Sequence, residues 1–393
     1  MRRPLLALLL AALMPLFAPP CAVHAETTML YGEAPTAMED RLRAMAVNGQ
    51  LGAAIVELES FVRQHPEVTS AARLLGDFYF RKPDLPDAER VYKAILARTP
   101  NDPESWNRLG GIYAAQDRTS DAIAAFDKSV PEPSVYINLV ALHRRRGDLA
   151  AFEQRVADNA KQNPTDQRDL LVYGNVLAAL HKYDAAITTF KQALSFTTPG
   201  DRCPALNNIA IVYLDVHRIG EAALVLEQCL RIEPKNYSAL VNTAEANIEM
   251  GQYELARPYL DRALKSEIDR PEAYVDIGFL EDTAHNWKAA VAMYQKAILV
   301  DPFWRDAYID LGYDYNEQKL YPLAEAAFLK GLSVSPHDGR LSFMLGRTYR
   351  EQGKMELARQ QYERAANSSD EDNIVRAARS ALTELGQQPP ANP

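Results

Sequence analysis

The sequence is poor in the residues that build metal centres and disulfide scaffolds. It has three cysteines and seven histidines among 393 residues, and the histidines are scattered. It also lacks an excess of positive charge: 43 lysines and arginines face 52 aspartates and glutamates. That balance argues against a general nucleic-acid binder. No P-loop, G-x-G-x-x-G, H-E-x-x-H or G-x-S-x-G pattern occurs. Acids are plentiful, but none is marked out as a proton donor. The expectation is therefore no catalytic residue, no metal, no cofactor and no enzyme activity.

Long apolar runs are also scarce. Leu5–Phe17 is one, interrupted only by Pro15 and preceded by Arg2 and Arg3. It is too short to span a bilayer comfortably. Val23 and Ala25 stand where a signal peptidase requires small residues, so residues 1–25 read as a signal peptide cleaved after Ala25. Pro19-Pro20 before Cys21 breaks the lipoprotein pattern, which leaves lipid attachment the weaker alternative. Twin-arginine export lacks the rest of its motif. Losing Arg2 and Arg3 changes the formal charge from -9 to -11. No later segment is apolar enough to cross a membrane. The mature chain is expected to be soluble, in a bacterial periplasm or secreted.

What is present is self-similarity. Alanines recur at Ala54, Ala88, Ala122, Ala186, Ala222, Ala256, Ala290, Ala324 and Ala358, mostly 34 apart, with Phe152 in the one wide gap. A large residue follows four places later, as in Tyr92, Phe126, Phe190, Tyr294, Phe328 and Tyr362. A small residue stands twelve places before: Gly76, Gly110, Gly174, Ala210, Ala244, Gly278, Gly312 and Gly346. Prolines such as Pro66, Pro100, Pro164, Pro234, Pro302 and Pro336 close most units.

The pattern resembles the tetratricopeptide-repeat (TPR) family. Trp106-x-x-Leu109-Gly110-x-x-Tyr113 with Ala122 and Phe126 is one full instance of its consensus. Tyr308-x-x-Leu311-Gly312-x-x-Tyr315 with Ala324, Phe328 and Pro336 is another. The resemblance covers residues 35–370 in about ten registers. It implies an all-α, right-handed superhelical solenoid of helix-turn-helix repeats. In each repeat a small residue of the first helix leaves a hole for a Phe or Tyr of the second. Stacked units share one core that no unit could bury alone. The terminal proline stops one helix and resets the chain.

The expected organisation is residues 26–34 as a linker, 35–386 as the solenoid and 387–393 as a disordered tail. The solenoid ends in a capping helix, Asn373–Leu385, opened by Ser369-Asp370-Glu371-Asp372 and ended by Gly386. Two places break the period. The unit after Phe126 is short, ending at Pro131-Glu132-Pro133, and the unit after Phe190 has two extra residues around Phe196–Gly200. These are either tolerated loop variation or a bend. His181, His217 and His285 each fall at a turn between paired helices and read as solvated turn residues.

Cys203 and Cys229 remain after cleavage. A hairpin that sets Ala210 opposite Ala222 brings the two cysteines level, so a disulfide is a candidate in an oxidising compartment. Alternatively, Cys229 is one more small residue in the column of Ala193, Ala263 and Ala297.

The resemblance also implies a groove lined by first helices. The column before the Leu-Gly pair reads Asn138, Val172, Asn208, Asn242, Asp276 and Asp310, with Asn175 and Asn207 beside it. Side-chain amides there can hold an extended peptide backbone as both donor and acceptor. Leu171 and Ser238 stand where the family's carboxylate clamp would need lysines, so recognition of a chain terminus is not expected. Early units offer Arg73, Arg81, Arg144, Arg145 and Arg168. Later units offer Glu245, Glu249, Asp276, Asp282, Asp306, Asp310 and Glu317, with Ile211, Val275, Phe279, Tyr313 and Phe343 among them. The later stretch is a candidate site for a basic, partly apolar segment; the alternative is a solvated helix face.

Together these features point to an exported scaffold or adaptor that binds a protein or peptide and assembles an envelope complex such as a pilus, a secretion apparatus or a polysaccharide exporter. The alternative is an accessory or regulatory subunit of an exported enzyme. No alternating strand pattern follows the repeats, so any pore would be another chain. Association with an envelope complex would be peripheral, and nucleic acid is not an expected partner.

Overall fold

The computed structural model describes residues 35–129, 133–336, 338–368 and 372–387. The signal segment with Cys21, the linker, Pro131-Glu132, Ser369–Glu371 and the tail after Gln387 lie outside the described residues. Every regular element among the described residues is helical. The chain divides into two compact units, residues 1–273 and 274–393.

The first unit runs α1 (Pro35–Met45), α2 (Leu51–Gln64), α3 (Thr69–Arg81), α4 (Leu85–Arg98), α5 (Pro103–Ala115), α6 (Thr119–Phe126) and α7 (Pro133–Arg146). It continues with α8 (Leu149–Gln162), α9 (Gln167–Ala179), α10 (Tyr183–Ser195), α11 (Cys203–Asp215), α12 (Ile219–Ile232), α13 (Tyr237–Glu249) and α14 (Tyr253–Ser266). α15 (Glu272–Thr283) begins at the boundary. The second unit then holds α16 (Trp287–Val300), α17 (Arg305–Glu317), α18 (Tyr321–Val334), α19 (Gly339–Glu351), α20 (Met355–Ala366) and α21 (Asp372–Gln387). Odd and even helices pair as hairpins. α21 packs on α20 and, less extensively, on α19. α21 passes through Gly386 to Gln387, so Gly386 does not end it as the sequence suggested.

Local chemistry explains the boundaries. Proline stops a second helix, and two residues later an Asp or Asn caps the next first helix. Asp102 accepts from Ser105 N, Asp166 from Asp169 N, Asn236 from Ala239 N and Asp338 from Leu341 N. Between paired helices one residue takes positive φ. It is Gly at 49, 147, 251 and 353, but Pro83, Asp117, His181, His217, His285 and Lys319 elsewhere. The three histidines are thus exposed turn residues in the left-handed region.

The core is a ring-into-gap packing inside each hairpin. A Cβ on Gly76 would lie 2.6 Å from the Tyr92 ring, one on Gly110 2.7 Å from Phe126, and one on Gly346 2.8 Å from Tyr362. Gly174 and Phe190, Gly278 and Tyr294, and Gly312 and Phe328 repeat the contact. Where the small residue is Ala210 or Ala244, the large partner position holds the smaller Leu226 or Leu260, all four buried.

Neighbouring hairpins are also stitched by polar bonds. Gln192 donates to the Pro164 carbonyl (2.9 Å), Arg262 to that of Pro234 (2.9 Å) and Arg364 to that of Pro336 (3.0 Å). The early break in period is absorbed by α6, which stops at Phe126 after eight residues. The later one is a single 3-10 turn, Pro199–Asp201. Cys203 and Cys229 form a disulfide with a Cα–Cα distance of 4.8 Å, joining the start of α11 to α12.

Candidate binding faces of the first helices

In the first unit the amide residues sit deep. Asn138, Asn175, Asn207 and Asn208 are all buried, whereas Asn242 and Glu245 are half-buried. Asn208 Nδ2 donates to Asn175 Oδ1 across 2.9 Å, joining α11 to α9. Asn207 Nδ2 donates to Oδ1 of Asn236, the residue that caps α13, at 3.2 Å. Much of the ladder's bonding capacity is therefore spent between neighbouring first helices. Oδ1 of Asn207 and Nδ2 of Asn242 have no partner.

The early arginines are engaged as well. Arg73 pairs with Asp102 and Glu104, both at 2.5 Å. Arg108 pairs with Asp77 at 2.8 Å, and Tyr92 donates to the same carboxylate at 2.5 Å. Arg145 pairs with Asp117 at 2.6 Å, and Arg168 donates to the Ser129 carbonyl at 3.2 Å. Of the early arginines that the sequence offered, Arg73, Arg81 and Arg145 are paired with carboxylates in the structure.

One contact in this unit had no sequence signal. Asp269, in the loop after α14, pairs with Arg43 of α1 and, at 3.0 Å, with Arg81 of α3. Arg81 also donates to the Asp269 backbone carbonyl at 3.1 Å. Arg81 is only 3% exposed and Asp269 is buried. Burial alone would raise the Asp269 carboxyl, but the two guanidiniums outweigh it and hold it at about 2. The first two hairpins are thereby tied to the end of the seventh.

The second unit differs. Asp276, Phe279, Asp310 and Tyr313 are half-buried and within reach of solvent. Asp314, one turn after Asp310 on α17, is 0% exposed. Its column position is otherwise Phe78, Ile112, Leu142, Val176, Val212, Ala246, Leu280 and Thr348. Neither Asp314 carboxylate oxygen accepts a hydrogen bond of ordinary geometry. Burial first, then the charge of Asp282, pushes this carboxyl up to about 7; Gln318 nearby offsets part of the rise, and Asp310 adds to it. Burial also raises the Tyr313 hydroxyl, helped by Glu317 and opposed by Arg347 of α19. The sequence reading picked out Asp282 and Asp310 but not Asp314. An acid in an otherwise uncharged, mostly apolar column was the signal that could have found it.

Among the described residues no group of three or more His, Cys, Asp or Glu is arranged to hold a metal ion. No helix among them is long and apolar enough to cross a membrane.

Known proteins give the same picture of the fold. One tetratricopeptide-repeat family model matches residues 40–103, 84–135 and 309–373. A second matches residues 213–276, and together they cover more than half of the chain. Among curated proteins the chain is similar to BBSome complex member BBS4 of Bos taurus, 20% identical over 303 residues, covering 72% of this chain and 52% of that protein. It is also similar to cellulose synthase operon protein C of Pseudomonas fluorescens (strain SBW25), 29% identical over 117 residues, covering 26% of this chain and 9% of that one. The chain thus spans about half or less of the length of these relatives. Among solved structures, a tetratricopeptide repeat protein from Parabacteroides merdae aligns with a TM-score of 0.50 at 19% identity, over 65% of this chain and 98% of its own. Repeat spacing, the glycine–ring contacts and the family models agree: this chain belongs to the tetratricopeptide-repeat family.

Proposed function

We propose that the chain is an exported scaffold that holds a partner protein or an extended peptide segment against its first helices and helps to assemble a cell-envelope complex. The TPR fold itself supports a protein–protein interaction scaffold. The observation that carries the binding reading is the half-buried acidic and aromatic face of the second unit, Asp276, Phe279, Asp310 and Tyr313. Such a face offers apolar area and negative charge to a basic, partly apolar segment. Export is supported by the residues around Val23 and Ala25 and by the disulfide of Cys203 and Cys229, which suits an oxidising compartment. A relative named for a cellulose synthase operon, matched over 26% of this chain, is in keeping with a polysaccharide-handling machine among these complexes.

Expression of the full chain in a bacterial host, followed by fractionation and N-terminal sequencing, tests export. The expected result is a periplasmic protein beginning at Glu26. A cytoplasmic product that retains Met1 overturns it. Crosslinking in the native envelope tests the scaffold role. Envelope-assembly proteins should be captured by the wild type and lost on reversing the charges of Asp276 and Asp310 together. An unchanged capture profile overturns this placement of the face.

A further inference from the structure

Each helix of the first unit packs on the next, from α1 to α14, in an unbroken row. Successive first helices also touch one another, α1 with α3, α7 with α9, α9 with α11 and α11 with α13. Among the described residues of this unit no two successive second helices approach to that extent. In a bent row the members inside the bend lie closer together, so the first helices line the inner side. The bend is tight enough for the row to meet its own start. Asp269, just after α14, reaches Arg81 Nη2 of α3 at 3.0 Å and also pairs with Arg43 of α1. The joint made there differs from the others in the row. Neighbouring hairpins share helix faces, whereas neither α1 nor α3 packs on α13 or α14 to a comparable extent. The polar part of the joint is one carboxylate between two guanidiniums, with Asp269 and Arg81 both buried. Desolvation of such groups offsets much of what their attraction contributes. Separation returns all three to water, so this joint parts at a lower cost than a shared helix face. Without the carboxylate, two like charges would be buried side by side, and the ends would move apart.

We propose that Asp269 is a latch that closes the first unit on itself and opens to admit a partner segment to the inner side of its first helices. While it holds Arg43 and Arg81, nothing bulky can be laid across that side. When it lets go, the first two hairpins swing away from the seventh, and a segment within a folded partner can lie along the first helices. The latch thus sets how fast such a segment enters and leaves; in this last step it rests on the peptide-binding reading above. The Asp269 carboxyl is held at about 2, so the latch keeps its charge at neutral pH and opens by thermal motion, not by protonation.

Two measurements on the full chain test this without a partner. In the first, Asp40→Cys and Lys265→Cys carry spin labels. Both positions are exposed, one about a turn before Arg43 and the other about a turn before Asp269. Cys203 and Cys229 are bonded to each other and take no label. Pulsed electron resonance should give one short distance with Asp269 in place and a second, longer one in Asp269→Asn. In the second, Val172→Cys puts a thiol at a half-buried place in the groove column of α9. Its reaction with a small maleimide is compared with that of a maleimide on a branched polyethylene glycol. The bulky reagent should react at least about tenfold faster in Asp269→Asn than with Asp269 in place, while the small one reacts alike with both. Asp269→Glu, which keeps the carboxylate, should keep the bulky reaction slow. If Asp269→Asn does not fold by circular dichroism, Arg43→Gln with Arg81→Gln replaces it, with the same expected opening.

A single short distance in Asp269→Asn overturns the latch, since the ends then stay joined without the carboxylate. Equal rates for the two reagents with Asp269 in place overturn the gating, since the inner side is then open while the ends are joined. Neither readout involves a partner. Failure of the crosslinking test above overturns the binding reading and leaves the latch standing.

Discussion

The two units share one repeat, yet one buried acid in each, Asp269 and Asp314, is treated in opposite ways. In the first, Arg43 and Arg81 enclose Asp269, Arg108 pairs with Asp77, and Arg73 pairs with Asp102 and Glu104. In the second, Asp282, Asp310 and Asp314 crowd one another, and the buried member holds its proton up to about pH 7. Pairing makes a buried carboxylate part of the scaffold. Crowding makes it a cost that a ligand or a proton must offset. The comparison teaches that two buried acids on interchangeable helices are shifted in opposite directions by the charges beside them.

The largest effect should come from the paired side. Asp269→Ala removes the carboxylate that Arg43 and Arg81 share deep in the first unit. Breaking a buried pair by removing one partner costs about 3–5 kcal/mol. Hydrogen exchange should show loss of protection in α1 to α4 and little change in the second unit. Equal loss in both units would erase the comparison. The pH sense follows from the depressed carboxyl: its contribution is complete above the unfolded value of about 4 and fades as pH falls through about 2.

The crowded side should answer with the opposite sense. Because the Asp314 carboxyl is raised to about 7 in the fold, the folded unit binds the proton more tightly than the unfolded chain. Stability of the second unit therefore falls as pH rises from about 4 to about 7 and levels off above. Asp314→Leu should remove that slope. It should leave stability near pH 4 little changed and raise it at pH 8 by an amount on the order of 3 kcal/mol. Denaturant unfolding across that pH range decides it. A wild-type protein with no slope attributable to Asp314 would show that the three acids do not interact as described.

A third test separates packing from charge. Gly174 and Gly312 each face a phenylalanine ring, one in each unit, with no room for a methyl group. Ala at either place should cost about 1–3 kcal/mol through overpacking. The second change Phe190→Leu should recover most of the loss at Gly174, since Ala with Leu already stands at 210 and 226 and at 244 and 260. Similar costs in the two units would show that they differ in electrostatics and not in packing. A double-mutant cycle measures the coupling.

How much of this could be read from the chain depends on distance along it. The contact of a small residue with a large one joins residues 16 apart, glycine with a ring in six hairpins and alanine with leucine in two, so it is legible as a period. The Asn cap, the proline stop and the hairpin that brings Cys203 level with Cys229 are equally local. The Asp269 contacts reach back 188 and 226 residues and occur once, so no periodicity reports them. The amide ladder is an intermediate case. Its column was visible, but the bond from Asn208 to Asn175, which takes up two of its members, depends on how closely α9 and α11 approach. Asp314 was legible in principle, as an acid in an otherwise uncharged, mostly apolar column. It escaped because the groove columns next to it drew attention to Asp310.

The smallest effect concerns the turns, where the two units should again behave alike. His217 in the first unit and His285 in the second hold φ of 56° and 61°. A left-handed backbone costs a residue with a Cβ roughly 1–2 kcal/mol. Glycine removes that cost but gives back about 0.5–1 kcal/mol through the greater freedom of its unfolded chain. His285→Gly should therefore stabilise by less than about 1 kcal/mol, a rise of a few degrees at most in the unfolding midpoint of the second unit. His217→Gly should gain slightly less, because the imidazole lies 4.0 Å from Glu249 and that weak exposed contact is lost. Thermal unfolding of the two variants beside the wild type measures both gains. A difference larger than the roughly 0.2–1 kcal/mol of an exposed pairing would mean that the turns, and not only the buried carboxyls, distinguish one unit from the other.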